Sequence, residues 1–462
     1  DKDNVFLAGL YAPVDEEVSA ECTVTGVLPE AVNGEFARNG PNPRFTPKGG
    51  YHWFDGDGMI HAVRIKAGKA TYSNRYVRTS KLAAEEKAGG PLALNMGEFS
   101  SRVAMLKMAV HSLKTKLGLV PDMAGTLDST ANTSLEYHAG RLFALCEGGS
   151  PYILRVLCDG VIETIGRASY GGKMKTAFTA HPKHDPSTGK LYGIGYQARM
   201  APFLTMYVLD KDGKLERQAR LWPMMHDFAI TENFAIFLDL PMVVKPENIL
   251  LGKMPITYDN TLGSRQVVGT REMIGVLPLD ATDSSDLKWF DMPKQAFMAF
   301  HVLNAWEEKV GSDTVVKVVT CDYAAINLDN AKYLTPDHMP VPHTSTLNLN
   351  TGEATRTNLV PVPPTEGLEF PQLRRSLVGR KNRIGYAVGF DMDGRATGIS
   401  KLDMQAETPE KSLVGRIDLG EFVGGEAIFI PSKQDDGVFD GEGDEDDGYL
   451  VTFVSPPDGG NS

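Results

Sequence analysis

Several patterns that would narrow the class of this chain are missing from it. Only four cysteines occur in 462 residues, Cys22, Cys146, Cys158 and Cys321, and none forms a C-x-x-C pair. They read as reduced, mostly buried thiols of an intracellular protein rather than as a disulfide framework. No run of about 18 apolar residues exists, so no stretch reads as a membrane-spanning helix. Basic residues are outnumbered, 47 Lys and Arg against 59 Asp and Glu, for a net charge of −12. That balance argues against a nucleic-acid partner. There is no G-x-S-x-G nucleophile motif and no crisp repeat period. The first residue is Asp1 rather than Met, so a transit peptide is neither seen nor excluded.

What is present is turn chemistry and short apolar runs. The 47 glycines and 28 prolines are spread along the chain instead of gathering in linkers, and 42% hydrophobic content is enough for a substantial core. From about Thr130, short strand-like runs recur every 8–15 residues, among them GRLFALCE, GKLYGIGY, NFAIFLDL, TVVKVVTCDY and RIGYAVGF. Asp212-Gly213, Thr351-Gly352 and Asp393-Gly394 read as hairpin turns, because Gly accepts positive φ. Many short antiparallel strands predict an all-β barrel, sandwich or propeller.

Upstream, residues 1–50 read as turn-rich, with the breakers Asn39-Gly40-Pro41-Asn42-Pro43 at their densest point. Residues 51–74 read as strand YHWF, turn DGDG and strand MIHAVRI. The segment 101–120 reads as a helix, with Val103, Leu106, Val110, Leu113 and Leu117 along one stripe. Arg102, Lys107, Lys114 and Lys116 make it locally basic inside an acidic protein. Two readings of it stand side by side: a helix packed on the domain, or an interfacial helix that makes peripheral contact with a bilayer holding an apolar substrate. The acidic stretch 435–448, DDGVFDGEGDEDDG, lacks the EF-hand pattern and reads as a solvated insertion.

Three histidines have unusual contexts: His181 in AFTAHPKHDP, His226 in MMHDFAI beside Asp227, and His301 in FMAFHVLNAW. Spacings of 45 and 75 residues exceed any local metal motif. If they meet, the fold must bring separate strands to one centre.

These contexts, with FARNGPNPRF, YHWFDGDGMIHAV, LFALCEGGSPY, LEFPQ and GGEAIFIP in order along the chain, resemble the carotenoid cleavage dioxygenase family, and most of all its plant and algal carotenoid and epoxycarotenoid cleavers. The resemblance covers nearly the whole chain. It implies a seven-bladed β-propeller forming a single domain over 1–462, with a helical dome over one face inserted near 80–125. It implies Fe(II) held by neutral histidines, of which His181, His226 and His301 carry over, with O₂ as co-substrate. It further implies that Glu147, Glu369 and Glu426 accept the second ring N–H of ligand histidines, which fixes tautomer and orientation. Thr133 matches a family threonine near the open iron face.

The implied reaction is oxidative cleavage of a C=C bond in a carotenoid or apocarotenoid to two carbonyl products, in a plastid, at its membrane surface or stroma, or in the cytosol, with the plastid favoured. The family's fourth histidine follows the last strand of its members. Here no histidine follows His343, so 1–462 is expected to lack the C-terminal part, and Glu369 is expected to be the carboxylate left without its histidine. His52, His61, His111, His138 and His184 read as structural or surface residues, and His338 and His343 as residues of a Pro-rich loop. The competing functions are a redox-neutral isomerase, a stilbene-type cleaver, and a non-catalytic propeller that binds an apolar ligand.

Overall fold

The computed structural model describes residues 4–92, 95–100, 104–119, 129–196, 204–221, 225–245, 247–251, 253, 256–258, 273–293, 297–326, 338–361, 366–433 and 444–457. It divides into two compact units. One comprises 1–182, 193–218 and 244–256, and the other 183–192, 219–243 and 257–462.

Six four-stranded antiparallel sheets follow one another along the chain as the blades of an all-β propeller fold. The first combines Gly34–Asn42, Asp57–Lys66 and Lys69–Tyr76 with Ser19–Cys22 on its far edge; the second runs from Ser134–His138 to Ile162–Arg167. The third comprises Lys183–His184, Leu191–Tyr196, Leu204–Leu209 and Leu215–Leu221; the fourth Phe228–Ile230, Phe234–Asp239, Met273–Pro278 and Lys288–Asp291. The fifth starts with the long hairpin Met298–Val310 and Asp313–Tyr323, and the sixth with Gly367–Gln372 and Ile384–Phe390.

The expected count of seven blades is corrected to six. After the sixth, Ile428–Pro431 and Gly448–Val451 form a two-stranded sheet and, among the described residues, pair only with each other. Beyond them the described residues add a single bridge, Val423 to Ser455.

Local chemistry explains why these residues form these elements. Gly213, Gly352 and Gly394 take φ of 77°, 80° and 74° at the anticipated hairpin turns. In the second unit, Ile236, Ile274, Val276 and Phe290 of the fourth sheet pack on Val302, Ala305, Val316 and Val318 of the fifth. Each such valine, isoleucine or phenylalanine side chain contributes roughly 1.5–3 kcal/mol by leaving water. In the first unit, Ile60, Ala62, Ala144, Tyr152 and Leu154 do the same between the first two sheets.

Two local readings change. The breakers at 39–42 lie in a strand, with Pro41 opposite Gly58. That strand ends the sheet order, where a missing amide costs no ladder bond. YHWF is a turn instead of a strand: the Asp55 carboxylate accepts from the backbone of His52 at 2.9 Å, Met96 at 2.6 Å and Gly97 at 2.9 Å, and so holds the chain folded back.

Helices are few. Ser80–Ala88 is capped by Thr79, whose hydroxyl accepts from Leu82 N, and ends at left-handed Gly89. The basic segment forms a helix over Ala104–Lys116; 101–103 and 120 lie outside the described residues. Leu106, Val110, Leu113 and Leu117 are 43–66% exposed, so the stripe faces outward and is not packed away. Lys107 is tied to Glu98 at 2.8 Å. Of the acidic stretch 435–448, only 444–448 falls among the described residues. There Glu445 accepts from the backbone N–H of Arg383 and Ile384, and Asp446 pairs with Lys401.

Candidate metal centre

Each of the three histidines stands where regular structure begins or breaks. His181 follows the buried run Ala177–Ala180 and precedes Pro182 and the short strand Lys183–His184. Its backbone N–H donates to Thr179 Oγ1 at 2.9 Å. His226 lies two residues before the strand Phe228–Ile230. His301 falls inside Met298–Val310, at a register shift between Ala299 and Val302. A bulge at that point turns a side chain out of the normal alternation.

The three come together. One ligand atom from each of His181, His226 and His301 lies within 4.8 Å of the others, and all three residues are half-buried. The His226 and His301 rings are 5.4 Å apart, tilted by 69°. Phe300 sets its edge against His226 at 5.6 Å, and Phe370 lies 5.3 Å from His301. Phenylalanine rings therefore flank two of the three imidazoles.

Glu369 is 2% exposed, and its Oε2 lies 2.7 Å from His301 Nδ1. A carboxylate can only accept, so Nδ1 carries the proton and Nε2 is the atom offered to a ligand. The expectation that Glu369 would lack its histidine is thus corrected. The cause is a second irregularity: Phe370 takes φ of 48°, in the left-handed region, at a register shift between Glu369 and Gln372. Neighbouring strand residues normally face opposite ways. Here both Glu369 and Phe370 reach His301, and Glu369 Oε2 also accepts from the backbone N–H of Phe370.

The electrostatics favour a cation. Burial works to lower the His301 pKa, but the charge and hydrogen bond of Glu369, with smaller contributions from Asp227 and Glu426, raise it to about 9. Burial and the charge of Glu369 push the Tyr323 phenol well above its usual range.

Glu426 and Glu147 are half-buried, Glu147 just past the strand Arg141–Leu145. Thr133 is exposed, and its hydroxyl donates to Asn132 Oδ1 at 3.1 Å. His343 lies in Val341–Asn348, its Nδ1 2.8 Å from the carbonyl of Val341. Among the described residues, neither it nor His338 joins the histidine group.

Sequence reasoning missed three residues beside the centre. Phe300 and Phe370 hide in apolar runs that read as ordinary strand. Lys183 hides behind Pro182, although a lysine two residues after a candidate ligand and a buried aspartate beside another would have been a usable pair.

The profile described as retinal pigment epithelial membrane protein matches residues 11–462. A carotenoid 9,10(9′,10′)-cleavage dioxygenase 1 of Phaseolus vulgaris is 39% identical over 99% of this chain and 83% of its own length. A probable carotenoid cleavage dioxygenase 4 of Arabidopsis thaliana, named chloroplastic, is 35% identical over 97% of this chain and 73% of its own length. Among solved structures, a lignostilbene dioxygenase of Pseudomonas brassicacearum is similar with a TM-score of 0.77 and 25% identity, covering 98% of this chain and 90% of the other. With the order of blades and the histidine group in place, these matches over nearly the full length show that the chain belongs to the carotenoid oxygenase family.

Proposed function

We propose that this chain is a non-haem iron dioxygenase that cleaves one C=C bond of a carotenoid or apocarotenoid, with residues 1–462 acting as one catalytic domain. The observation that carries the reading is the convergence of three imidazoles, from positions 181, 226 and 301, with ligand atoms within 4.8 Å of one another. Imidazole suits Fe(II), and the donor set contains no thiolate that would favour a different metal. The residues fit the ion: His181, His226 and His301 would hold it, and Glu369, Asp227 and Glu426 supply the negative field that three neutral ligands lack.

When bound, Fe(II) would activate O₂, and the balance of the reaction is one alkene and one O₂ giving two carbonyl products. The chain's own part is to bind, orient and exclude water. Glu369 fixes the His301 tautomer. Phe300 and Phe370 offer apolar surface beside the imidazoles, suited to a conjugated hydrocarbon and poor for water. Thr133 is assigned the open face, and Glu147 and Glu426 the remaining ring N–H groups. The outward apolar stripe of Ala104–Lys116, flanked by Lys107, Lys114 and Lys116, gives the chain a surface for peripheral contact with a membrane in which such a substrate dissolves. The plastid, home of the relative named chloroplastic, is the favoured location, with the cytosol the other.

The test is iron per chain together with bleaching of a carotenoid in detergent under ¹⁸O₂. Label in both carbonyl products is the expected result. An isomerised product without label would replace cleavage by isomerisation, and turnover of a phenolic stilbene alone would replace the substrate class.

A further inference from the structure

Asp227 is 3% exposed and stands where the three histidine-bearing segments meet. Its Oδ1 accepts from the backbone N–H of Phe228 at 2.8 Å, two residues past His226. The same oxygen takes the Lys183 ammonium at 2.8 Å, two residues past His181. Its Oδ2 accepts from the backbone N–H of Val302 at 2.9 Å, one residue past His301. The Val302 amide is free to do this because it lies at the register shift, where the regular ladder is interrupted. Between His181 and Lys183 is only Pro182, whose fixed φ and whose restriction of the residue before it make a stiff spacer.

A buried carboxylate is costly to desolvate and needs several strong donors to be tolerated. Asp227 has two backbone amides and one ammonium, and each lies within two residues of a different candidate ligand. A side-chain amide does not serve, because it would turn N–H groups toward one of these donors, whereas a carboxylate accepts from all three while offsetting the lysine charge. Lys183 also passes over the Phe228 ring at 6.0 Å, which holds it against the same strand.

We propose that Asp227 is the positioning residue that sets the three imidazoles in register, acting through Lys183, Phe228 N–H and Val302 N–H and not as a ligand. Its purpose rests on the iron reading; its geometry does not. Correct placement of histidines by groups one bond removed typically changes metal affinity by about 10–100-fold.

The experiment uses the metal-free chain with ring-labelled histidine, followed by titration with Co(II) as the probe ion. In Asp227→Asn, the ring resonances of His181, His226 and His301 move together, while His138, bonded to the Asp210 carbonyl, and His343 stay fixed. In Lys183→Met, which cuts only one of the three ties, His181 moves most, and Lys183→Arg restores its position. Co(II) binds about 10–100-fold more weakly to the first two variants, with a changed visible spectrum. Should Asp227→Asn fail to fold, the Lys183 pair decides. Folded variants whose three rings and Co(II) affinity match the parent overturn the proposal, as does movement of His226 alone. If the parent takes no Co(II) while the three rings still move together, the iron reading falls and the positioning role stands.

Discussion

Glu369 Oε2 lies 2.7 Å from His301 Nδ1, in a pair buried enough for the carboxylate to be only 3% exposed. The bond orients the ring and assigns its proton. Replacing Glu369 by Gln keeps an acceptor but removes the charge, so iron affinity should fall by about 10–100-fold, with a further fall in Glu369→Ala. Metal titration of purified protein checks this. Equal affinity in all three forms would show that the hydrogen bond has no bearing on the centre.

Phe370 makes an unusual stability series possible. Its φ of 48° is expensive for any residue with a Cβ and free for glycine. In an ordinary strand Gly is less stable than Ala. Here Phe370→Gly should be more stable than Phe370→Ala by about 1 kcal/mol. Urea unfolding of the two variants side by side reads the difference, and the ordinary order, Ala above Gly, would show that the backbone at 370 is not held left-handed.

The outward helix separates surface from stability. Leu106 and Leu113 are 66% and 58% exposed, so Leu106→Asp with Leu113→Asp should change folding stability by no more than about 0.5 kcal/mol per site. Binding to anionic vesicles, followed by flotation, should drop severalfold, while cleavage of a detergent-dispersed substrate holds. Unchanged flotation would remove this helix from the membrane reading.

Acid should weaken the fold through His343. Burial, with the nearby Arg356 charge, lowers its pKa to about 4, against a usual value near 6.5. Between those values the unfolded chain binds a proton that the folded chain refuses, so stability rises with pH. The His343 contribution is fully present above about pH 6.5 and is lost as pH falls toward 4. Asp322, 3.4 Å from the His343 ring and raised by burial to about 7, acts with the opposite sign over the same window, so the His343 part is read as the difference between parent and variant. His343→Gln should flatten that part of the stability profile, as measured by urea unfolding between pH 4 and 7.

The parts that sequence made legible are those set by nearest neighbours. Asp212-Gly213, Thr351-Gly352 and Asp393-Gly394 were readable as turns because positive φ selects Gly. His181, His226 and His301 stood out by local context. The seventh blade was supplied by resemblance, while the described residues after the sixth sheet form only the hairpin Ile428–Pro431 with Gly448–Val451. YHWF misled because aromatic residues favour strands, and the Asp55 bonds to Met96 and Gly97 that fold it back come from 41 and 42 residues away. The partner of Glu369 could not be read either. It depends on a bulge and a left-handed phenylalanine, and LEFPQ looks like plain strand. Asp227 was visible beside His226, but its bond to Val302 N–H exists only because the ladder slips at 299–302.

Each blade is built mostly from strands that adjoin in sequence, so its pairing closes short loops and can form early. The histidine group joins positions 181, 226 and 301, and no single blade contains them all. Loop-closure entropy places such a contact late. Assembly of the histidine group is therefore expected to follow assembly of the blades, so that the proposed ion would meet a finished scaffold instead of nucleating one. Iron scarcity in a cell should accumulate folded, inactive protein that recovers within the time of metal binding, with no new synthesis required.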